Sequence, residues 1–180
     1  MTDTTNSTQS GLSATMCGIL FGVILVLESV ISYVMKIGTD SSYGTIIFVL
    51  NYIVLPALFV YLGCSAVKNR KSGFISFGEC LKTGVLICVI AGLISAIAVV
   101  ILNMVFPEYL VDVMAQAKKK MIESNPDMTQ AQIDMGISMM DKFSKPWFTI
   151  PISVVVYALV GLIHSLIIGA IVKKDPATNF

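Results

Sequence analysis

Charged side chains are scarce in this chain. Only 13% of its 180 residues are Asp, Glu, Lys or Arg, whereas 56% are hydrophobic, and the mean hydropathy is +0.84. Soluble domains carry about 25% charged residues, so the composition indicates an integral membrane protein. The net charge of +1 also lacks the clustered cationic excess that phosphate binding requires, which argues against nucleic acid as a partner.

Catalytic motifs are missing as well. The chain has one histidine, and it contains no HExxH motif, no nucleophile elbow and no Walker loop. Its four cysteines follow no standard metal-ligand spacing. We therefore expect a protein that is not an enzyme and that holds neither a metal ion nor a cofactor.

Four stretches are apolar enough to cross a bilayer, which takes about 20 residues of helix. They cover residues 14–35, 44–67, 83–106 and 147–172. We predict an all-α fold in which residues 14–173 form a single transmembrane domain, an integral membrane four-helix bundle. We expect the two flanking segments, 1–13 and 174–180, to be cytoplasmic tails. The first is expected to be disordered, and it lacks the cationic start of a signal peptide.

The placement of lysine and arginine predicts the orientation in the membrane. With four spans, both termini and the connector between spans 2 and 3 share one side. Lys68, Lys82 and Lys173 lie at span ends on that side, whereas the cluster 118–120 on the other side lies far from any span. We predict that both termini lie in the cytoplasm.

The cysteines agree with this orientation. They all fall at or near the cytoplasmic ends of the predicted spans: Cys17, Cys64, Cys80 and Cys88. Thiols stay reduced in that compartment, so we expect no structural disulfide.

The extracytoplasmic loop over 107–146 is too polar to cross the membrane. Its apolar residues recur at helical spacing before and after Pro126, and Thr129 with Gln132 matches a capping box. We predict two short amphipathic helices, on the membrane surface or over the mouth of the bundle.

Methionines recur every seven residues through this loop, at Met114, Met121, Met128 and Met135. The spacing raises the hypothesis of a thioether site for a soft ion such as Cu(I). We favour the alternative that methionine fills apolar helix faces, because Pro126 breaks the helix between the second and third of them.

Polar residues inside the spans form a candidate intramembrane polar site: Glu28, Asn51, Tyr157 and His164. Counting about 1.5 Å per residue places the first three at similar depth on the outer side of the midplane and His164 on the inner side. One hypothesis is a proton or cation site, with His164 as a second station. The alternative, which we favour, is a neutral glutamic acid hydrogen-bonded for packing and a histidine satisfied by a backbone carbonyl.

Small residues and one proline bear on how the spans pack. Gly18 and Gly22 form a GxxxG pattern, and a stripe of Gly161, Ser165 and Gly169 runs along span 4. Such patterns let helices approach closely within a compact bundle or a homo-oligomer. Pro56 is predicted to kink span 2.

The connector between spans 2 and 3 alternates apolar and small residues beside a group of cations. We interpret it as a segment that dips into an anionic headgroup layer, with a docking site for a cytoplasmic partner as the alternative.

Several segments in this order resemble a known family. They are "GILFGVIL", "SGFISFGECLKTG", "FPEYL" followed by "MMDKFSKPWF", and "GLIHSLIIGAIVKKD". The chain resembles the four-span bacterial membrane proteins, mainly from Bacteroidota, that are classed as domain of unknown function 4199 (DUF4199). The resemblance implies a four-helix inner-membrane protein and implies no activity.

We therefore predict a non-enzymatic membrane protein that acts as a structural or interaction component. Its expected partners are the lipid bilayer and either a second copy or another membrane protein. The alternative function is that of a small transporter or channel subunit with a proton or cation site around Glu28.

Overall fold

The computed structural model describes residues 13–35 and 42–174. Residues 1–12 and 175–180, which make up most of the predicted tails, and residues 36–41 lie outside the described residues. The described part forms seven α-helices: α1 Ala14–Val34, α2 Ser42–Val49, α3 Leu55–Arg70, α4 Phe77–Val105, α5 Pro107–Ser124, α6 Gln130–Phe143 and α7 Pro146–Val172. A π-helical segment, Leu50–Val54, joins α2 to α3.

Four helical stretches are long and apolar enough to cross a membrane. They are α1, the continuous stretch Tyr43–Arg70, α4 and α7. Large apolar side chains cover their outward surfaces; Leu27 is 57% exposed and Ile171 is 76% exposed. Contiguous apolar surface on this scale is typical of contact with lipid. The predicted all-α class is confirmed, since the described residues contain no strand and only an isolated bridge between Ile75 and Lys174.

Small residues bring the long helices together in the core. A methyl group added at Gly161 of α7 would lie 2.8 Å from Cys88 Cβ and 2.9 Å from the carbonyl oxygen of Gly84, both in α4. One added at Gly18 of α1 would lie 2.9 Å from the carbonyl oxygen of Ile87 in α4. Because no side chain larger than hydrogen fits at these points, α4 packs closely against both α1 and α7.

The second long helix widens where the sequence predicts a kink. Pro56 has no N–H, so the carbonyl of Tyr52 one turn earlier loses its usual donor. The backbone adjusts by forming the π-helical segment over Leu50–Val54, just before this proline. Single π-turns of this kind relieve a break in the α-helical ladder and often accompany functional side chains. Asn51 lies in this segment.

The loop between α4 and α7 contains the two short helices predicted for it, α5 and α6. Thr129 and Gln132 form the capping box at the start of α6, with Gln132 N–H donating to Thr129 Oγ1 over 3.4 Å. The apolar side of α6 faces inward, since Ile133 is only 5% exposed. The methyl end of Met121 in α5 lies against Gly136 in α6, where a Cβ would lie 2.7 Å from Met121 Cε.

The connector between α3 and α4 is shorter than the sequence predicts, because α4 begins at Phe77 rather than at residue 83. Ser76 caps the helix and Glu79 bonds back to the Ser76 N–H over 3.0 Å, which completes a capping box. The connector is tied to the end of α7: the N–H of Ile75 donates to the Lys174 carbonyl over 3.0 Å, and the Lys174 N–H donates back over 2.9 Å.

Candidate functional site

Glu28 and Asn51 contact each other between two long helices. Glu28 lies on α1 and Asn51 on the π-helical segment, and Asn51 Nδ2 donates to Glu28 Oε1 over 3.1 Å. The π-turn before Pro56 places Asn51 on the side of its helix that faces α1. Two of the four predicted site residues are therefore brought into direct contact.

The second oxygen on each of these side chains is buried without a partner. Glu28 Oε2 and Asn51 Oδ1 are both shielded and accept no hydrogen bond from the described residues. An ionised carboxylate has no donor to offer, whereas a protonated one has an O–H. A single proton on Glu28 Oε2 would supply the donor that Asn51 Oδ1 lacks. The pair is chemically suited to hold one proton and would then be a neutral acid–amide pair.

Tyr157 lies beside this pair and meets its neighbours through its ring. The ring stacks on Tyr52, the residue after Asn51, with centroids 5.8 Å apart, and it meets Phe21 edge to face at 6.1 Å. Its Cβ and ring also pack on Gly92, where an added methyl group would come within 2.7 Å of Tyr157 Cβ. Among the described residues no hydrogen bond joins Tyr157 to Glu28 or Asn51, although depth counting places the three side chains at similar depth. Tyr157 forms the aromatic wall next to the pair.

His164 lies apart from the other three residues. Its Nδ1 is 2.8 Å from the carbonyl oxygen of Val160, one turn earlier in α7. A neutral imidazole that donates from Nδ1 satisfies this carbonyl within its own helix. This is the backbone-satisfied histidine of the packing hypothesis.

The cysteines contradict one expectation. Cys64 near the end of α3 and Cys80 near the start of α4 are joined by a disulfide, with their Cα atoms 5.3 Å apart. Reduced thiols were expected from the compartment alone, but the short connector between the helices forces the two span ends to lie side by side. The short connector between Cys64 and Cys80 was the sequence feature that could have predicted the disulfide. Cys17 and Cys88 are free and buried.

Two of the regularly spaced methionines have different surroundings. Met121 packs against Gly136, whereas Met135 is 67% exposed. Within the part of the chain that the structure describes, no three His, Cys, Asp or Glu side chains are grouped closely enough to hold a metal ion.

The chain matches a known protein family over most of its length. The model of a family described as "Protein of unknown function (DUF4199)" matches residues 16–174. The chain belongs to this family. The match covers all four long helices, the connector and the α5–α6 loop, so the predicted resemblance to DUF4199 is confirmed. No curated protein and no solved structure matches this DUF4199 chain.

Proposed function

We propose that this DUF4199 protein is a non-enzymatic integral membrane protein that acts as a structural or interaction component of the bacterial inner membrane. The observation that carries the proposal is the contact between Glu28 and Asn51. A charged side chain near the middle of a membrane costs about 2.5–3.5 kcal/mol on insertion scales. A neutral glutamic acid bonded to an amide avoids this cost and joins α1 to the second long helix.

Three other polar groups in the long helices support the same proposal. His164 is held by the Val160 carbonyl, and the hydroxyl groups of Ser29 and Ser165 donate to carbonyls of their own helices. Groups that are satisfied in this way contribute to helix packing and are not poised as a nucleophile with its base.

A second candidate function is a proton site for transport, and the two unpartnered oxygens favour it. Glu28 Oε2 is the atom that would gain or lose the proton, and Asn51 Oδ1 would accept the hydrogen bond from the protonated form. Loss of that proton would leave a carboxylate facing an amide oxygen, which repel each other. Release would therefore weaken the contact between α1 and the π-helical segment, and transport would require that change.

Glu28→Gln separates the two candidates. Glutamine offers Asn51 the same two hydrogen bonds as a neutral acid but cannot release a proton. If the pair has a packing role, E28Q should be as stable as the parent. Glu28→Leu leaves the Asn51 amide without a hydrogen-bond partner and should lower the free energy of unfolding by about 1–3 kcal/mol. Unfolding of the purified protein in mixed detergent micelles measures both differences.

Proteoliposomes with an imposed pH gradient supply the second measurement. We expect the parent protein to pass no more protons than empty liposomes. A proton flux that E28Q abolishes would replace the packing role with the transport candidate. If E28Q were as unstable as E28L, the acid–amide pair itself would be wrong.

The proposed orientation places both termini and the α3–α4 connector in the cytoplasm. Cys64 and Cys80 are both 0% exposed, so burial shields their disulfide from the reductants of that compartment. It is supported by lysines at helix ends on that side, such as Lys82 and Lys173. We expect Asn125→Cys, in the α5–α6 turn, to react with an impermeant maleimide in intact spheroplasts. We expect Ser72→Cys, in the connector, to react only after permeabilisation. The reverse pattern would invert the orientation.

We propose the outer part of the second long helix as the face that contacts a second copy or another membrane protein. Tyr43, Ile46 and Phe48 are 67%, 61% and 58% exposed, and a groove of about 510 Å³ runs along the same segment. Ile46→Cys should form a cross-linked dimer or heterodimer with a short bismaleimide in native membranes. Ile101→Cys is a matched control at the outer end of α4; equal cross-linking from both positions would show random collision instead.

A further inference from the structure

The connector end of the long helices carries the excess positive charge of the described chain. Six cationic side chains and one acidic side chain, Glu79, lie there: Lys68, Arg70, Lys71, Lys82, Lys173 and Lys174. The α5–α6 end has five lysines against six carboxylates: Lys118, Lys119, Lys120, Lys142 and Lys145 against Glu108, Asp112, Glu123, Asp127, Asp134 and Asp141. The two ends therefore differ in net charge, +5 against −1.

Some of the cationic side chains at the connector end bind partners within the protein. Glu79 pairs with Lys71, and Lys68 Nζ donates to the carbonyl oxygen of Val172 at the end of α7 over 2.9 Å. Three exposed lysines remain close to helix ends, Lys82, Lys173 and Lys174. The bridge to Ile75 fixes the backbone of Lys174, and its Nζ lies 5.6 Å from the centre of the Phe74 ring.

These lysines occupy neighbouring helix ends. A methyl group added at Gly169 of α7 would lie 3.2 Å from the Phe77 ring and 3.5 Å from Cys80 Cβ, so the end of α7 lies against the start of α4. Lys173 follows Gly169 by one turn and lies about 6 Å farther from the bilayer centre, whereas Lys82 follows Cys80 by two residues and lies about 3 Å nearer to it. Their backbones therefore differ in depth by about 9 Å, slightly more than the headgroup layer of about 5–8 Å. The Lys82 stem can extend toward the polar layer, so its amino group can reach the same layer as those of Lys173 and Lys174.

Aromatic side chains accompany the lysines at this depth. Phe77 is 38% exposed on the first turn of α4, and Phe74 carries Lys174 over its ring. Ile75, by contrast, is 1% exposed and belongs to the core rather than to the lipid surface. Lysine stems extend along apolar surface while their amino groups reach the polar layer.

We propose that Lys82, Lys173, Lys174 and Phe77 form a binding surface for anionic phospholipids, with the amino groups on the lipid phosphates and the ring among the upper acyl chains. Charge complementarity and depth select this occupant, because each cation near an anionic leaflet adds about fivefold to the affinity. The inference requires that the long helices span a bilayer and does not depend on the role of Glu28.

Tryptophan quenching by brominated lipids tests the surface at both ends of one protein. The natural Trp147 lies near the α5–α6 end and is 75% exposed, so the unchanged chain reports on that end. The double substitution W147F/F77W moves the reporter to the connector end. Each protein is reconstituted in phosphatidylcholine vesicles that contain dibrominated phosphatidylglycerol or dibrominated phosphatidylcholine.

We expect the F77W reporter to prefer phosphatidylglycerol by about fivefold or more, and Trp147 to show no preference. The preference should fall in high salt, which screens exposed charges. Replacing the three lysines, K82Q/K173Q/K174Q, should remove most of it. The matched change at the other end, K118Q/K119Q/K120Q, removes the same charge and should leave it intact.

Equal quenching by both lipids at the F77W reporter would overturn the proposal, and so would a preference that survives K82Q/K173Q/K174Q. In that case an acidic protein partner would be the better match for the charge. Native mass spectrometry of chains without the tryptophan exchange gives an independent check. The parent should retain more phosphatidylglycerol than K82Q/K173Q/K174Q, and equal retention would count against the surface.

Discussion

Replacement of Gly161 by alanine tests the close contact between α4 and α7. The added methyl group would lie 2.8 Å from Cys88 Cβ and 2.9 Å from the Gly84 carbonyl oxygen. Neither atom is the free end of a flexible side chain, so the helices themselves must separate. Gly78 in the first turn of α4 is the matched control, because a methyl group added there meets nothing within 4 Å.

The expected magnitude follows from two opposing effects. Alanine gains up to about 1 kcal/mol over glycine in helix propensity, and both variants share this gain to a first approximation. Overpacking in a close contact costs about 1–3 kcal/mol, and only G161A incurs it. G161A should therefore be less stable than G78A by about 1–3 kcal/mol, measured by unfolding in mixed detergent micelles. If G161A were as stable as G78A, the close approach of α4 and α7 would be refuted.

Three further predictions concern the connector end. Lys68→Met removes a charge-assisted bond to the Val172 carbonyl worth about 1.5–3 kcal/mol, so hydrogen exchange at the end of α7 should accelerate while that of α1 is unchanged. Ser76→Ala removes the cap of α4 at a cost of about 1 kcal/mol, and faster exchange confined to its first turn is expected. Peptide mapping without reductant should recover Cys64 and Cys80 in one linked pair, and Cys80→Ser should lower stability by about 3 kcal/mol; free thiols at both positions would contradict the disulfide.

Hydropathy and spacing were sufficient to predict the helices. The four long helices follow from apolar runs, and α5 and α6 follow from helical spacing on either side of Pro126. These signals depend on the local sequence alone. The start of α4 was placed six residues late, because the capping box of Ser76 and Glu79 adds a polar first turn that hydropathy does not register.

The sequence predicts how deep the candidate site residues lie in the membrane, but not which way their side chains point around the helices. Depth counting placed Asn51 and Tyr157 level with Glu28, and only Asn51 bonds to it. Which way a side chain points around its helix depends on the neighbours and on the π-turn before Pro56, and neither can be read from a run of apolar letters. The contact between Cys64 and Cys80 was missed for a related reason, since it depends on how two helix ends pack.

The tie between the connector and the end of α7 bears on the order of events during synthesis. Lys68 and the Val172 carbonyl that accepts its bond are 104 residues apart in the chain. At about 5–20 residues per second, Lys68 is synthesised on the order of 5–20 s before Val172. This contact therefore cannot form until α7 has been made, and the first three long helices lack it until then.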